Sequence, residues 1–414
     1  MPAPTMKVEL GLDSALSEPF FRFGDSDDPG ANPQSTFDNA TYTLGGTNFR
    51  DITSYVKSVS TNRGRSRELD RTNTGTASIT LKNQDRTFDP LNASSSIYPD
   101  VRPRRDIRVT SGGTPIYTGI IDDINLDYDV SGESVASFSC VDGFAVLARK
   151  QLTAFTATAQ FSGERVGAVL SRSDVNWPVT LRALDTGAQM LQADAVTDGT
   201  DALAYLQLVE SSEPGFFFIN RGGTAQYEDR NSAAVVSSAV FTDVAGSGIP
   251  YTSIQIQYGS EDLYNRVQVT AAGGATQTAN DADSQTSYGL LTLDQNGLLI
   301  DTDADALALA NYLLGKYRQP EYRIESISVE MASLSAANQA LVLARELTDV
   351  VTVKFTPNKT GSQIVQYGQV IGIQHDIGVD RHRVTFSLAQ TDGRVAFVFD
   401  SAQYGVFDSS TLGF

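Results

Sequence analysis

The sequence predicts a mainly β fold, α+β overall, with two related β-barrel-like domains and a small α/β domain between them. Three observations carry that reading. Apolar and polar residues alternate with period two in many separate stretches. Helical periodicity is confined to a few segments, and a strand-turn-strand pattern recurs late in the chain. Period two places one strand face against a core and the other toward water. The 414 residues suggest about three domains at about 150 residues each. A hydrophobic fraction of 41% with 19% charged residues is enough to bury real cores.

In chain order, Asp25 to Pro33 reads as a polar Gly/Pro loop. Ala77, Ile79 and Leu81 alternate with Thr76, Ser78, Thr80 and Lys82. Ile124, Leu126 and Tyr128 alternate with Asn125 and Asp127, and Ala136, Phe138 and Cys140 with Ser137 and Ser139. Cys140, the only cysteine, thus reads as a small core residue, and a single thiol excludes an internal disulfide or a multi-thiolate metal site. A short helix follows Ser162. A second spans Asp201 to Glu210, with Leu203, Leu206 and Val209 on one face. Phe216-Phe217-Phe218 reads as the start of a buried strand. Gly246 to Pro250 closes a segment, and a strand pattern begins at Tyr251. Ala271 to Ser287 has almost no large apolar residue and reads as a long exposed loop. Ala306, Ala310, Leu313, Leu314 and Tyr317 recur at helical spacing within Asp303 to Gln319, between a Thr302 cap and the stop at Pro320. A third helix is expected within Leu334 to Leu347. Val351, Val353 and Phe355 alternate again, as do Val384, Phe386 and Leu388.

Tyr117, Ile121, Phe138 and Asp142-Gly143 recur at one constant spacing as Tyr367, Ile371, Leu388 and Asp392-Gly393. Between them lie the turns Asp129-Val130-Ser131-Gly132 and Gly378-Val379-Asp380-Arg381. An alternating strand precedes each copy, Thr76 to Lys82 in one and Val350 to Phe355 in the other. Any two hairpins can look alike. The alternative is two copies of one barrel-like unit, whose core then holds Tyr117, Ile121, Phe138, Tyr367, Ile371 and Leu388. The expected domains are 1–150, 151–250 and 251–398 (including helix 303–319), followed by a tail, 399–414.

Lys and Arg number 31 against 49 Asp and Glu, a net charge of −18, so the chain as a whole does not attract DNA, RNA or anionic lipid. The region Arg50 to Arg108 departs from this, with 12 basic and 7 acidic residues. Arg63, Arg65, Arg67 and Arg71 lie close together, as do Arg102, Arg104, Arg105 and Arg108. They read either as surface ion pairs or as a subunit contact, since arginine forks suit carboxylates on a neighbouring chain. Arg63, Arg65, Arg67, Arg71, Arg104 and Arg105 are the interface candidates. No stretch approaches the roughly 18 apolar residues of a membrane span. Met1-Pro2-Ala3-Pro4-Thr5 lacks a basic segment before an apolar run, so no secretory signal is expected.

Enzyme motifs fail to appear. His375, in phase with Ile371, Ile373 and Ile377, reads as a satisfied sheet histidine, and His382 lies near a turn. No nucleophile elbow, zincin helix or phosphate loop is present. Asp301, Asp303 and Asp305 imitate a calcium loop, but Ala306 and Tyr312 stand where such a loop needs Gly and Glu. They read as acidic capping of a helix N-terminus. Asp25, Asp27 and Asp28 read as solvated charge. Asp122 and Asp123 are adjacent on a strand and point to opposite faces, so they cannot converge on one glycosidic bond. With Trp177 the only tryptophan, no sugar platform is legible. Neither catalytic residues, a metal nor a cofactor is expected.

Three stretches carry a resemblance. The first is Tyr42-Thr-Leu-Gly-Gly-Thr-Asn-Phe49 with Asp51-Ile-Thr-Ser-Tyr-Val-Lys-Ser-Val-Ser60. The second joins Arg63-Gly-Arg-Ser-Arg-Glu-Leu-Asp-Arg71, Thr74-Gly-Thr-Ala-Ser-Ile-Thr-Leu81 and Asp85-Arg-Thr-Phe-Asp-Pro-Leu-Asn92. The third runs from Ile116-Tyr-Thr-Gly-Ile-Ile-Asp-Asp123 to Val141-Asp-Gly-Phe-Ala-Val-Leu147. The chain resembles minor tail proteins of long-tailed (siphovirus-type) actinobacteriophages, most strongly over about residues 40 to 150. The likeness continues more loosely through Phe216 to Tyr227, the helix before Pro320 and the ending Tyr404 to Phe414. Through them it is similar to the tail-tip or baseplate hub family of tailed phages.

That resemblance implies two tail-tube-type barrel domains per chain and a homotrimer whose six barrels adapt a six-fold tube to a three-fold tip. It implies a virion protein at the tail tip, a closed channel that opens for DNA ejection, and no bond chemistry. The partners it implies are the distal tail adaptor or tail tube protein, the tape measure protein, and other tip or fibre proteins, with DNA only in transit. Loop Ala271 to Ser287 is a candidate contact for a tip partner. A hexameric distal tail adaptor, with one barrel per chain, is the nearest rival. A receptor-binding adhesin or a cell-wall hydrolase would need a sugar site or converging carboxylates.

Overall fold

The computed structural model describes residues 2–14, 49–130, 132–230, 232, 237–357, 361–391, 395–396 and 410–411. Asp25 to Pro33, residues 42–48, Ser131, Asp392-Gly393 and most of the tail 399–414 lie outside the described residues.

Seven strands come first: β1 (Met6–Ser14), β2 (Phe49–Asp51), β3 (Val56–Gly64), β4 (Asn73–Lys82), β5 (Arg105–Ser111), β6 (Thr114–Tyr128) and β7 (Ser134–Val141). β3 to β7 pair in the order β3-β4-β7-β6-β5, with β1 and then β2 beyond β5. The period-two pattern explains the sheet. Ala77, Ile79 and Leu81 are buried, while Thr76 and Ser78 on the same strand face out. Phe88 enters this core from the connection before β5 and meets Phe138 edge-on, 5.7 Å between ring centroids.

The chain then builds α1 (Gly143–Leu147), α2 (Ser162–Ser171), β8 (Arg182–Leu184), α3 (Ala202–Ser212), β9 (Phe216–Ile219) and β10 (Ala225–Glu228). β10 pairs parallel with β8 and antiparallel with β9. Phe144, Val166, Leu206, Phe217 and Tyr227 share a second core here.

β11 (Val240–Thr242), β12 (Ile249–Pro250) and β13 (Ser253–Tyr258) follow. Then come β14 (Arg266–Ala271), β15 (Gln277–Asn280), α4 (Ala282–Tyr288), β16 (Thr292–Leu298) and α5 (Asp303–Tyr317), which enclose a third core. The last elements are β17 (Tyr322–Glu330), α6 (Ala336–Leu343), β18 (Val350–Phe355), β19 (Ile364–Ile377) and β20 (His382–Thr391). The expectation of a long exposed loop from Ala271 to Ser287 is corrected: this stretch holds β15 and most of α4. α4 lacks an apolar face because it is held by polar bonds. Asp281 caps it by accepting from Ser284 N, and Ser284 Oγ donates to the Arg318 carbonyl at 2.6 Å.

The second half repeats the first. β13, β17, β18, β19 and β20 pair in the order β13-β17-β20-β19-β18, the same path as β3-β4-β7-β6-β5. The match extends to register. Ile79 faces Phe138 as Ile327 faces Phe386. Val59 faces Ile79 as Ile254 faces Ile327. Ile107 faces Gly119 as Val351 faces Gly368. The bulge of β6 falls at Asp122 and that of β19 at Ile371.

These pairings correct the alignment read from the letters. Phe138 corresponds to Phe386 rather than Leu388, Ile121 to Val370 rather than Ile371, and Tyr117 to Gln366 rather than Tyr367. Tyr117 is fully buried, whereas Tyr367 is 39% exposed. Val350–Phe355 matches β5, and the partner of Thr76 to Lys82 is β17. β4 and β5 follow one another in the chain but are separated in the sheet by β7 and β6, so a preceding strand is a poor guide to the matching one.

The two repeats meet in one continuous sheet. β19 pairs with β18 through residues 364–369, then turns that edge to β3 through 372–377. The bulge at Ile371 marks the change, and its carbonyl accepts from Arg65 N at 2.8 Å. Gly64 sits here at φ +91°, and a Cβ on it would lie 2.2 Å from the Ile371 oxygen. A Cβ on Gly372 would lie 2.6 Å from the Arg65 oxygen. Gly64→Ala should therefore destabilise the chain by about 3 kcal/mol, combining left-handed strain with a backbone clash. Gly113→Ala, at φ +80° with nothing within 4 Å of the added carbon, should cost only about 1 kcal/mol. Equal shifts of the two urea midpoints would refute the seam clash.

Candidate functional site: the seam between the two repeats

The polar groups of the chain converge beneath the β3–β19 junction. Arg63 on β3 points to the buried side, and its Nη1 donates to Glu346 Oε1 at 2.7 Å. Glu346 follows α6 in the second repeat. Its other oxygen accepts from Arg221 N at 3.0 Å, from the turn between β9 and β10. Arg221 Nη1 donates to the Leu343 carbonyl at 2.7 Å, and its own carbonyl accepts from Thr118 Oγ1 on β6. One carboxylate thus ties both repeats to the middle domain.

Two more carboxyls are buried nearby. Asp142 caps α1 by accepting from Phe144 N at 2.9 Å and also accepts from Gly75 N at 2.7 Å. Burial pushes its pKa up to about 7 against those bonds and the Arg63 charge. Glu210 on α3 accepts from Phe217 N, and burial raises it to about 7 as well, opposed chiefly by Arg65. Cys140 is buried on β7, and burial raises its thiol far above the usual range.

The interface candidates are placed as follows. Arg63 and Arg105 are buried and paired inside the chain, Arg105 with Asp100 at 2.6 Å. They leave no surface there for a neighbouring chain. Arg65 lies over the Phe216 ring, 4.6 Å from its centroid. Arg67 is exposed and bonds Glu261 at 2.5 Å. Arg71 is exposed, and its charge faces Glu210. Arg104 adopts φ 69°, and its amide donates to the Ile121 carbonyl at 2.7 Å. Ile121 and Phe138 join Tyr117 in the core, and Ile371 and Leu388 are also buried. An open cleft of about 330 Å³ lies alongside, lined by Arg67, Gln255, Glu261, Arg323 and Leu388 among others.

His375 and His382 form a buried pair, which the sequence showed only as two separate residues. His375 Nδ1 lies 3.0 Å from His382 Nε2, and His382 Nδ1 lies 3.4 Å from Ser111 Oγ on β5 of the first repeat. Burial drives both pKa values down, His382 to about 4 and His375 further below the usual range, where His382, Arg63 and Arg221 add repulsion.

The opposite face of the same sheet is polar across the junction. β3 presents Ser60 and Asn62, β4 Thr76 and Ser78, β7 Ser139, and β6 Asp123, Asn125 and Asp127. The second repeat continues it with Gln374 and Asp376 on β19, Ser387 on β20, Ser326 on β17 and Gln255 on β13. Ser60 Oγ donates to Asp376 Oδ1 at 2.9 Å across the seam. Among the described residues, no three His, Cys, Asp or Glu side chains gather as a metal site. Asp303 and Asp305 lie in the first turn of α5, with Thr302 accepting from Asp305 N. Asp122 sits in the β6 bulge, bonded to Arg149 at 2.8 Å. Among the described residues, no helix is long and apolar enough to cross a membrane.

Glu346→Ala should cost about 3–5 kcal/mol, because it leaves Arg63 buried and unpaired. Arg63→Met combined with Glu346→Leu should recover most of that stability in urea unfolding; no recovery would show that the pair is not the cause.

The histidines set a pH dependence. Above the ordinary value of 6.5 both rings are neutral whether folded or unfolded. Below it, the unfolded chain takes up protons that the buried rings refuse, so stability is lost as pH falls from 6.5 to about 4. Asp142 and Glu210 act in the opposite sense, so the histidine effect is read by difference. Relative to the parent, the variant His375→Gln with His382→Gln should gain about 3 kcal/mol over that window from His382 alone, with His375 adding to it in the same sense. A difference that stays constant with pH would contradict this.

No protein-family model and no curated protein matches the chain. Solved structures do. The tail protein from Neisseria meningitidis MC58 matches with a TM-score of 0.58 and 13% identity, over 84% of this chain and 95% of that one. The 43 kDa tail protein of prophage MuSo2 from Shewanella oneidensis matches with a TM-score of 0.54 and 12% identity, again over 84% and 95%. Identity this low speaks to architecture, and the chain shares the fold of these tail proteins.

Proposed function

We propose that the chain is a structural, non-enzymatic virion protein, the homotrimeric hub of a phage tail tip. The observation that carries this reading is the register-matched repeat. Two equivalent barrel-like units in one chain let three chains present six, which fits a six-fold tube on one side and a three-fold tip on the other. The fold shared with two tail proteins supports the tail setting. The sequence resemblance to minor tail proteins of long-tailed actinobacteriophages supports a siphovirus-type tail.

In this reading the hub meets the distal tail adaptor or tail tube protein, the tape measure protein, and the tip or fibre proteins. It closes the channel until contact with the host opens it for DNA ejection. The polar sheet face suits a channel wall. Hydroxyls, amides and the carboxylates of Asp123 and Asp376 need no apolar cover, and negative charge gives phosphate nothing to hold. No cofactor enters this function. Arg67 and Arg71 remain candidates for contacts between subunits, and α4 for contact with a tip partner.

The test is the copy number and symmetry of the chain in intact tails, seen by cryo-electron microscopy. Three copies forming a ring of six similar barrels are expected. Six copies, each giving one barrel to the ring, would instead make it the distal adaptor.

A further inference from the structure

Each repeat uses the same two edges, yet only one pair of them is joined within the chain. The edge of β3 not paired to β4 is taken by residues 372–377 of β19. By the repeat register, β13 corresponds to β3, and residues 123–128 of β6 correspond to 372–377. Among the described residues no strand pairs with the outer edge of β13, whose one partner is β17. Residues 123–128 of β6 pair with β7 alone, because β5 reaches only as far as Ile120.

We infer that the outer edge of β13 pairs antiparallel with residues 123–128 of β6 in a second copy of this chain, repeating between chains the β3–β19 junction found inside each one. This rests on the hub reading for the number of copies, but not for the junction. The internal junction fixes the register. Val59↔Ile377, Ser60↔Asp376, Thr61↔His375 and Arg63↔Ile373 become Ile254↔Tyr128, Gln255↔Asp127, Ile256↔Leu126 and Tyr258↔Ile124.

Three observations support these edges as partners. The first is burial. Val59, Thr61, Ile373 and His375 are buried at the internal junction, as is Ile377. Their counterparts Ile254, Ile256, Ile124 and Leu126 are only half-buried, while Tyr128 is 47% and Tyr258 68% exposed. Pairing would cover all six and set each tyrosine against an isoleucine, a favourable cross-strand combination. The second is edge chemistry. The other sheet ends are blunted: β2 has 3 residues, two of them charged, and β12 has 2 and ends in Pro250. β13 has 6 residues, Ser-Ile-Gln-Ile-Gln-Tyr, with neither charge nor proline to deter pairing. The third is geometry. Each chain offers one edge of each kind, so the contact is head-to-tail and closes only as a ring.

The experiment uses the full chain carrying Asp127→Cys and Gln255→Cys, both on the exposed polar face, with Cys140 buried and out of reach. Ser60→Cys with Asp376→Cys serves as the internal reference, since those side chains already touch across the seam. Mild oxidation should link chains into a ladder that ends at a closed trimer. The out-of-register pair Asp127→Cys with Gln257→Cys should link several-fold less. Linked rings of another copy number would keep the junction and remove the trimeric hub. An oligomer whose two thiols stay free, while the reference pair closes, would overturn the junction and leave the hub standing. A chain that stays monomeric at every concentration would overturn the junction as well.

Discussion

Everything else in this molecule depends on the backbone pairing of β3 with β19. β19 has three neighbours in turn, and it can serve them only by changing partner partway along its length. The bulge at Ile371 makes that change and leaves a carbonyl pointing out of the ladder. Arg65 N takes up that carbonyl, so the switch is made without an orphaned polar group. Gly64 and Gly372 let two backbones approach to a distance at which no side chain fits. Because the sheet runs unbroken through this point, the cores of the two repeats merge into one apolar cluster rather than two.

The buried charges follow from that merger. Joining two barrels and a middle domain around one seam buries connecting segments that would otherwise lie at a surface. Arg63 is buried there, with Glu346 and Arg221 half-buried beside it, and their mutual bonds offset the loss of water. Such a set is weak evidence for stability. Its contribution is geometric, because Glu346 is satisfied only when all three parts are in place. The histidine pair extends the same logic. His375 and His382 fit the core as neutral rings that satisfy each other and reach Ser111 of the opposite repeat.

The sequence displayed whatever is periodic. Alternation along β4, β6 and β7 is plain, and α3, α5 and α6 show apolar spacing with Asp201, Thr302 and Ser335 as caps. α4 was illegible because its 7 residues, Ala-Asp-Ser-Gln-Thr-Ser-Tyr, have no apolar period and depend on bonds to Asn265 and Arg318. The repeat was legible as a pattern but not in register: one constant spacing puts β19 one residue off and, because the second hairpin is one residue shorter, β20 two. The arginine clusters were visible, whereas their partners were not. Glu346 and Glu261 lie far along the chain from Arg63 and Arg67, and only the fold brings them together. The histidines stand close in the sequence, but their burial against the first repeat is a tertiary fact.

The places where the two repeats differ are also orderly. The β3–β4 connection is a short turn, whereas the equivalent β13–β17 connection carries β14 to β16, α4 and α5. The middle domain departs after β7. Both additions leave the sheet at the end where Gly64, Val141 and Tyr258 lie. At the opposite end the two hairpins stay alike, whereas the link from β17 to β18 carries α6 and that from β4 to β5, among the described residues, no helix. The β6–β7 and β19–β20 hairpins carry Val130 and Val379 at matching, fully exposed positions. A strand ladder tolerates insertions only where the chain leaves it. In the proposed ring the hairpins then repeat six-fold and the two insertions three-fold. In that proposal the change from six-fold to three-fold comes from connection length within a single chain.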